Sequence, residues 1–169
     1  MKILIIGCSG TGKSTLAKEL HHQLEFPLLH LDQIWHVHYD KQKFYQQLQN
    51  FMTDNPDFII DGNYADSLPM RVVEADTIIW LQTSRIKAVW RVLLRSLKIR
   101  LKLYKRDDMA EAFQEKWDKE YWKFLKFVWN FQKENYPSLE KALADKKQNC
   151  KVYIIQTERD RKRLLENLY

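Results

Sequence analysis

Ile3-Leu4-Ile5-Ile6 is a short apolar run of β type that breaks into Gly7-Cys8-Ser9-Gly10-Thr11-Gly12-Lys13-Ser14-Thr15 and continues into helix-forming residues. Gly-x-x-x-x-Gly-Lys-Ser between a strand and a helix is the pattern of a phosphate-binding P-loop. Glycines at 7, 10 and 12 let the backbone wrap a phosphate. N–H groups from Ser9 and Thr11 through Thr15, and the positive end of the following helix, can then point at it. Lys13 would reach the β- and γ-phosphates and the Ser14 hydroxyl would hold Mg²⁺. A plain strand-to-helix turn has no need for Lys followed by Ser at this point, so the chain is expected to bind ATP. Cys8 occupies a free position of the motif and reads as a tolerated small residue.

Two carboxylates stand where such a site would use them. In open parallel sheets the ligand lies beyond the carboxyl ends of the strands. Asp61 closes the apolar run Phe58-Ile59-Ile60, a Walker B pattern that places a Mg²⁺ ligand. Its structural alternative is a turn aspartate before Gly62. Asp32 closes Leu28-Leu29-His30-Leu31 and could accept a proton from an attacking hydroxyl. Its alternative is a helix N-cap or Asx-turn, because Gln33-Ile34 could start a helical turn. His30, His36 and His38 lack metal spacing with a third ligand and read as satisfied or exposed. Trp35 and Tyr39 could stack on a ring or simply pack.

Net charge is +6, and nine of the 28 basic residues fall between Arg85 and Arg106, a stretch without an acid. Positions 87, 91, 95, 98, 102 and 105 are cationic at helical spacing and would share one helix face. Ile86, Trp90, Leu93, Leu97 and Leu101 form the expected apolar face alongside. Like charges at this spacing oppose the helix by about 0.2–0.5 kcal/mol per pair, so Arg91 and Arg95 at least are expected to meet an anion. Phe113, Trp117, Tyr121, Phe124, Val128 and Phe131 follow the same rhythm as a core or lid-helix face. Trp122 and Trp129 lie off it and could mark a dimer contact or a substrate wall.

These groups need a scaffold. Strand-like runs recur at Ile3–Ile6, Leu28–Leu31, Phe58–Ile60, Thr77–Leu81 and Val152–Ile155, separated by helical stretches. The alternation predicts α/β architecture, a parallel sheet covered by helices on both faces, in one domain spanning 1–169. Helices are expected over Lys13–Leu24, Lys41–Thr53 after Asp40, Pro69–Glu74 after Ser67, and Ser84–Tyr104. Met109–Asn135 follows, stopped by Tyr136-Pro137, then Ser138–Lys147 and Arg159–Leu168. Two cysteines without metal or redox spacing suit a reducing cytoplasm. No apolar run approaches the roughly 18 residues of a membrane span, so no membrane partner is expected.

Taken together the chain resembles the adenylate-kinase-related P-loop family known as DNA topology modulation proteins. The resemblance rests on the P-loop, His30-Leu31-Asp32, Ile59-Ile60-Asp61-Gly62-Asn63-Tyr64, Arg71 before Ala75-Asp76, Arg91 with Arg95, Arg106-Asp107-Asp108-Met109-Ala110-Glu111 and Trp129-Asn130-Phe131. It implies a P-loop NTPase of three α/β/α layers, five parallel strands in the order 2-3-1-4-5, and a short helical lid over roughly residues 96–130. It also implies that Arg91 stacks on the donor adenine and Arg95 clamps the transferring phosphate. Arg106, or Lys105 in its place, would be the lid cation, and Arg71 an acceptor-anion ligand. Asn63-Tyr64 stands where kinases of the adenylate type carry an acceptor-gripping arginine, so adenylate as acceptor is not implied.

The expectation is an ATP- and Mg²⁺-dependent phosphotransferase acting on a small molecule, as a monomer or homodimer. Lys13, Asp32, Arg95 and Arg106 would be its catalytic residues, and Ser14 and Asp61 its metal ligands. Asp32, Trp35, Asn63, Tyr64 and Arg71 would bind the acceptor. The alternative is an ATP-binding regulator associated with DNA, supported by the cationic stripe.

Overall fold

The computed structural model describes residues 1–38, 40–103, 108 and 118–168. Five strands form one parallel sheet: β1 (Lys2–Gly7), β2 (Leu28–His30), β3 (Phe58–Asp61), β4 (Thr77–Leu81) and β5 (Lys151–Ile155). Their order is β2-β3-β1-β4-β5, the order expected. Register sets Ile5 beside Asp61 and His30 beside Asp61, so the carboxyl ends of the three neighbouring strands come level.

Residues alternate between the two faces of each strand, and both faces are covered. Ile3, Ile5, Ile59 and Ile79 pack against Leu16, Ala17 and Leu20 of α1 (Lys13–Leu24) and Leu164 of α7 (Glu158–Leu168). Leu4, Ile6, Ile60, Ile78 and Trp80 belong to the opposite core. That side holds α2 (Leu31–His38), α3 (Lys41–Asp54), α4 (Leu68–Val72), α5 (Arg85–Arg100) and α6 (Lys119–Leu143). Asp40 caps α3, accepting from the backbone N–H of Gln42 and Lys43, as the sequence predicts.

Several expectations about helices are corrected. Residues 31–38, weighed only as a possible turn, form α2, and Asp32 lies in its first turn rather than capping it. The short helix α4 does follow Ser67, which makes no side-chain cap bond; its hydroxyl donates to the Tyr64 carbonyl within a 3-10 turn over Ala65–Ser67. Helix α5 stops at Arg100 instead of Tyr104. Lys102 adopts φ 56, and the N–H groups of Lys102 and Leu103 close back onto Ile99 and Lys98, a left-handed C-terminal lock. The proposed start of the next helix at Met109 lies outside the described residues.

Pro137 was expected to break the following helix, yet α6 runs through it. A proline inside a helix costs about 3 kcal/mol. Burial on both sides offsets this: Phe131 and Leu139 are almost wholly buried, each worth about 1.5–3 kcal/mol. Tyr136 also sets its ring edge-on to Trp80 at 4.8 Å.

The buried face of α5 is Ala88, Val92 and Ser96; of the expected apolar stripe Leu93 packs half-buried against the core. Small residues let this helix lie close to the P-loop. Ile86, Trp90, Leu97 and Leu101 face outward, with Trp90 60% exposed, because they sit on the opposite side of the helix. Phe113 and Trp117 of the aromatic face lie outside the described residues. Tyr121, Val128 and Phe131 are core as expected, with Leu125 added. No described helix is long and apolar enough to cross a membrane.

Candidate active site

A cleft of about 750 Å³, within the usual size for a small-molecule site, opens at the carboxyl ends of β1, β2 and β3. Its floor is the P-loop. Gly10 has φ 81, and a Cβ there would lie 2.5 Å from the Ala88 carbonyl oxygen, so loop and α5 touch backbone to backbone. One turn further along α5, Arg91 consequently reaches the loop, its Nη1 donating to the Gly10 carbonyl at 3.4 Å. Arg95 lies one more turn on and also lines the cleft.

Gly12 precedes α1 with φ 97, and no atom of the described residues lies within 4 Å of where its Cβ would be. Helix α1 has no side-chain cap and no acid in its first turn. Its N-terminal N–H groups and partial positive charge therefore have no neutralising partner from its own sequence, the arrangement that receives an anion. Lys13 Nζ donates to the Cys8 carbonyl at 3.0 Å, and Thr11 Oγ1 donates to the same carbonyl at 2.7 Å. Cys8 itself is buried, its Sγ 3.8 Å from the Val128 carbonyl of α6. Burial pushes its thiol up to about 11, against the pull of Lys13, which fits a packing role.

The two carboxylates behave differently. Asp61 is 5% exposed; its Oδ2 lies 2.9 Å from Nδ1 of the equally buried His30, while its Oδ1 is buried with no hydrogen-bond partner among the described residues. His30 is thus the satisfied histidine expected. A buried carboxylate oxygen without a donor is costly unless a cation or water completes it. Asp61 and Ser14 both line the cleft, and a carboxylate and a hydroxyl are oxygen donors of the kind Mg²⁺ takes. Asp32 accepts a hydrogen bond from the Tyr64 hydroxyl at 2.8 Å, and both line the cleft.

The loop after β3 holds Tyr64 in place. Tyr64 has φ 34, a conformation that costs a non-glycine residue about 1–3 kcal/mol. Arg71, wholly buried, holds the strained loop from below. Its guanidinium donates to the carbonyls of Gly62 at 2.9 Å, Tyr64 at 3.2 Å and Ser67 at 3.3 Å, and to that of Asn63. Burial pushes its pKa down to about 9, so it is cationic at neutral pH. The side chain of Asn63 makes a two-way clamp on the P-loop, accepting from Gly7 N–H at 2.9 Å and donating to the Gly7 carbonyl at 2.7 Å.

Of the residues expected at the site, Ser9, Gly10, Gly12, Lys13, Ser14, Thr15, Asp32, Asp61, Asn63, Tyr64, Arg91 and Arg95 meet in the cleft. Gly7 and Thr11 shape the loop from behind. Trp35 does not line the cleft; it packs behind Tyr64, ring centroids 5.7 Å apart. The structure does not bring Arg71 to the cleft, because its donors serve the backbone. Arg106, Lys105 and Tyr39 lie outside the described residues.

Sequence reasoning missed the opposite wall. Tyr121, Phe124, Phe127 and Phe131 of α6 line the cleft, so the aromatic face read as core is core and site together. Trp129 lies under the Arg85 guanidinium, 4.8 Å from ring centroid to its carbon. Asp108 was also passed over; its Oδ2 accepts from Ser14 Oγ at 3.0 Å.

No protein-family model matches the sequence, and no curated protein matches it. Among solved structures the chain is similar to shikimate kinase from Acinetobacter baumannii in complex with shikimate, with TM-score 0.55 and 14% identity over 99% of this chain and 92% of that one. It is similar to shikimate kinase from Bacteroides thetaiotaomicron, with TM-score 0.54 and 16% identity over 99% and 98%. Deoxyadenosine kinase from M. mycoides with bound dATP gives TM-score 0.51 and 16% identity over 99% and 98%. Strand order, parallel pairing and helices on both faces agree with these neighbours: the chain has the fold of the P-loop kinases.

Proposed function

We propose that this chain is a phosphotransferase of the nucleotide and nucleoside kinase type, using ATP and Mg²⁺ to phosphorylate a hydroxyl group of a small molecule. One observation carries the reading: the Asp32 carboxylate lines the same cleft as Lys13 and Ser14 of the P-loop and Arg91 and Arg95 of α5. Phosphoryl transfer needs positioning and charge stabilisation more than covalent help from the protein. Lys13 moves from the Cys8 carbonyl to the β- and γ-phosphates, Arg91 lies against the donor nucleotide, and Arg95 stabilises charge on the transferring group. Arg106 is the proposed lid cation. Ser14 and Asp61 would hold Mg²⁺, which would supply neutralisation of phosphate charge. Asp32 takes the proton of the attacking hydroxyl, oriented by the Tyr64 hydroxyl. The aromatic wall of α6 gives the acceptor an apolar surface, which suits a ring-bearing compound.

The test is a labelled-ATP transfer screen over nucleosides, nucleotides, sugars and small alcohols, with Lys13→Ala as the blank. For an acceptor that is phosphorylated, Asp32→Asn is expected to lower turnover by about 10²–10⁴-fold with ATP affinity nearly unchanged. Unchanged turnover removes Asp32 from the role. The DNA-associated alternative draws support from the exposed Lys87, Lys98 and Arg100 of α5, but Arg91 and Arg95 line the cleft. Those two cations serve the kinase reading.

A further inference from the structure

We propose that the acceptor is an uncharged molecule of the nucleoside class, a planar heterocycle joined to a hydroxyl-bearing part, and that Asn135 of α6 reads the polar edge of its ring. This rests on the kinase reading above and narrows it, excluding phosphomonoesters and carboxylic acids as acceptors.

The placement of charge carries the first half. Among the described residues the cations of the cleft are Lys13, Arg91 and Arg95. They belong to the P-loop and α5, where Arg91 Nη1 donates to the Gly10 carbonyl, so all three stand on the side that takes the triphosphate. Helix α6 brings no cation to the opposite wall. It carries Lys119, Lys123, Lys126, Lys133 and Lys141, every one of them exposed and outside the lining of the cleft. The residues that α6 gives to the cleft are apolar, amide, hydroxyl or acidic. Asp118 is fixed at its first turn by the N–H groups of Glu120 and Tyr121, each at 3.0 Å. Arg71, beneath the loop that carries Tyr64, has its donors on four backbone carbonyls. An acceptor anion beside Asp32 would therefore meet repulsion and no counter-ion among the described residues.

The ring follows from the shape of the wall. Phe124 and Phe127 lie one turn apart with planes 24° from parallel and centroids 6.5 Å apart, and Phe131 meets Phe127 edge-on at 5.4 Å. A flat heteroaromatic ring stacks on such a surface, whereas a sugar or a short alcohol leaves it wet. One turn beyond Phe131, Asn135 lines the same cleft. Its backbone carbonyl accepts from Ser138 Oγ at 2.8 Å, and its side-chain amide has no hydrogen-bond partner among the described residues. A carboxamide offers a donor and an acceptor side by side, the complement of the amide or amidine edge of a nucleobase.

The experiment uses the full chain with Mg²⁺ and labelled ATP. Each common nucleoside is compared with its 3′- and 5′-monophosphates and with the matching O-methyl ethers, which add bulk without charge. Glucose, glycerol and the hydroxy acid shikimate complete the set. For the best nucleoside, kcat/KM is expected to exceed that of either monophosphate by about 10²-fold or more, with the ether that keeps the reacting hydroxyl lying between them. Asn135→Ala should raise KM for that nucleoside about 10-fold, with kcat and the KM for ATP nearly unchanged. Asn135→Asp, of the same size but without the amide donor, should change the ranking of the bases, and it serves the test if the alanine variant does not fold. Preference for a monophosphate or for shikimate over the neutral nucleosides overturns the proposal. So does transfer to glucose or glycerol ahead of every nucleoside. Unchanged KM and ranking in both variants overturns the role of Asn135. If no compound of either charge accepts phosphate while ATP binds through Lys13, the kinase reading itself fails.

Discussion

In the P-loop, Lys13 and Thr11 both rest on the one carbonyl of Cys8, and the space beside Gly12 is open among the described residues. In the loop after β3, Asn63 grips Gly7 in both directions and Arg71 holds four carbonyls. The two loops are neighbours at one end of the sheet, and both are rich in polar groups. They differ in commitment. The first keeps a flexible lysine on a partner that a phosphate can replace; the second has its donors in bonds whose loss would leave buried carbonyls empty. A ligand-binding loop and a positioning loop can thus carry similar residue types, and the partners tell them apart.

Removing the guanidinium should break the contrast most severely. Arg71→Met leaves carbonyls of Gly62, Asn63, Tyr64 and Ser67 without their donor, at about 1–3 kcal/mol for each one that stays buried and unsatisfied. The expected loss is on the order of 3 kcal/mol or more, a fall in Tm of roughly 10 °C by calorimetry. If stability is unchanged while acceptor affinity drops, Arg71 is a ligand of the acceptor and the distinction between the loops fails.

Asn63→Ala should have a smaller and more pointed effect. It frees the N–H and carbonyl of Gly7 and is expected to destabilise the chain by about 1–2 kcal/mol. ATP affinity should weaken with it, because the loop loses its lateral anchor. Denaturant titration together with nucleotide titration separates this from a contact to the acceptor, which would leave ATP binding alone.

The smallest effect concerns Cys8. Burial raises its pKa to about 11 in the folded chain, against an ordinary value of 9.0. The folded state therefore favours the thiol, and this contribution is complete below pH 9 and declines as pH rises through about 11. Alkylation at pH 8 should be slow in the native protein and fast once it is unfolded. Rapid native labelling would mean that the loop opens from α6.

The parallel sheet was legible because five apolar runs alternate with helical periodicity, and both faces of these strands are buried. The cleft positions of Lys13, Ser14 and Asp61 were legible because a P-loop and a strand end place them by local rules, and that of Asp32 because α2 starts directly after β2. The wall made by α6 was not, since an aromatic stripe at helical spacing looks alike whether it faces a core or a cleft. Arg71 was misplaced for a similar reason: an arginine near a phosphate site advertises charge, while four carbonyls recruited from its own loop depend on the turn at Tyr64. On α5 the larger side chains suggested the buried face. Close approach to Gly10 instead selected Ala88, with Val92 and Ser96 following one and two turns along.

Asn63 and Tyr64 are consecutive residues, one holding the phosphate loop and the other holding the Asp32 carboxylate. Their α-carbons are about 3.8 Å apart, a spacing fixed by the peptide bond. The pair acts as a caliper whose jaws are an amide and a phenol. Under the proposed function, this adjacency couples the loop that would receive phosphate to the carboxylate that would draw off a proton. In that reading the aromatic wall of α6, which belongs to neither jaw, is where a change of acceptor would be accommodated.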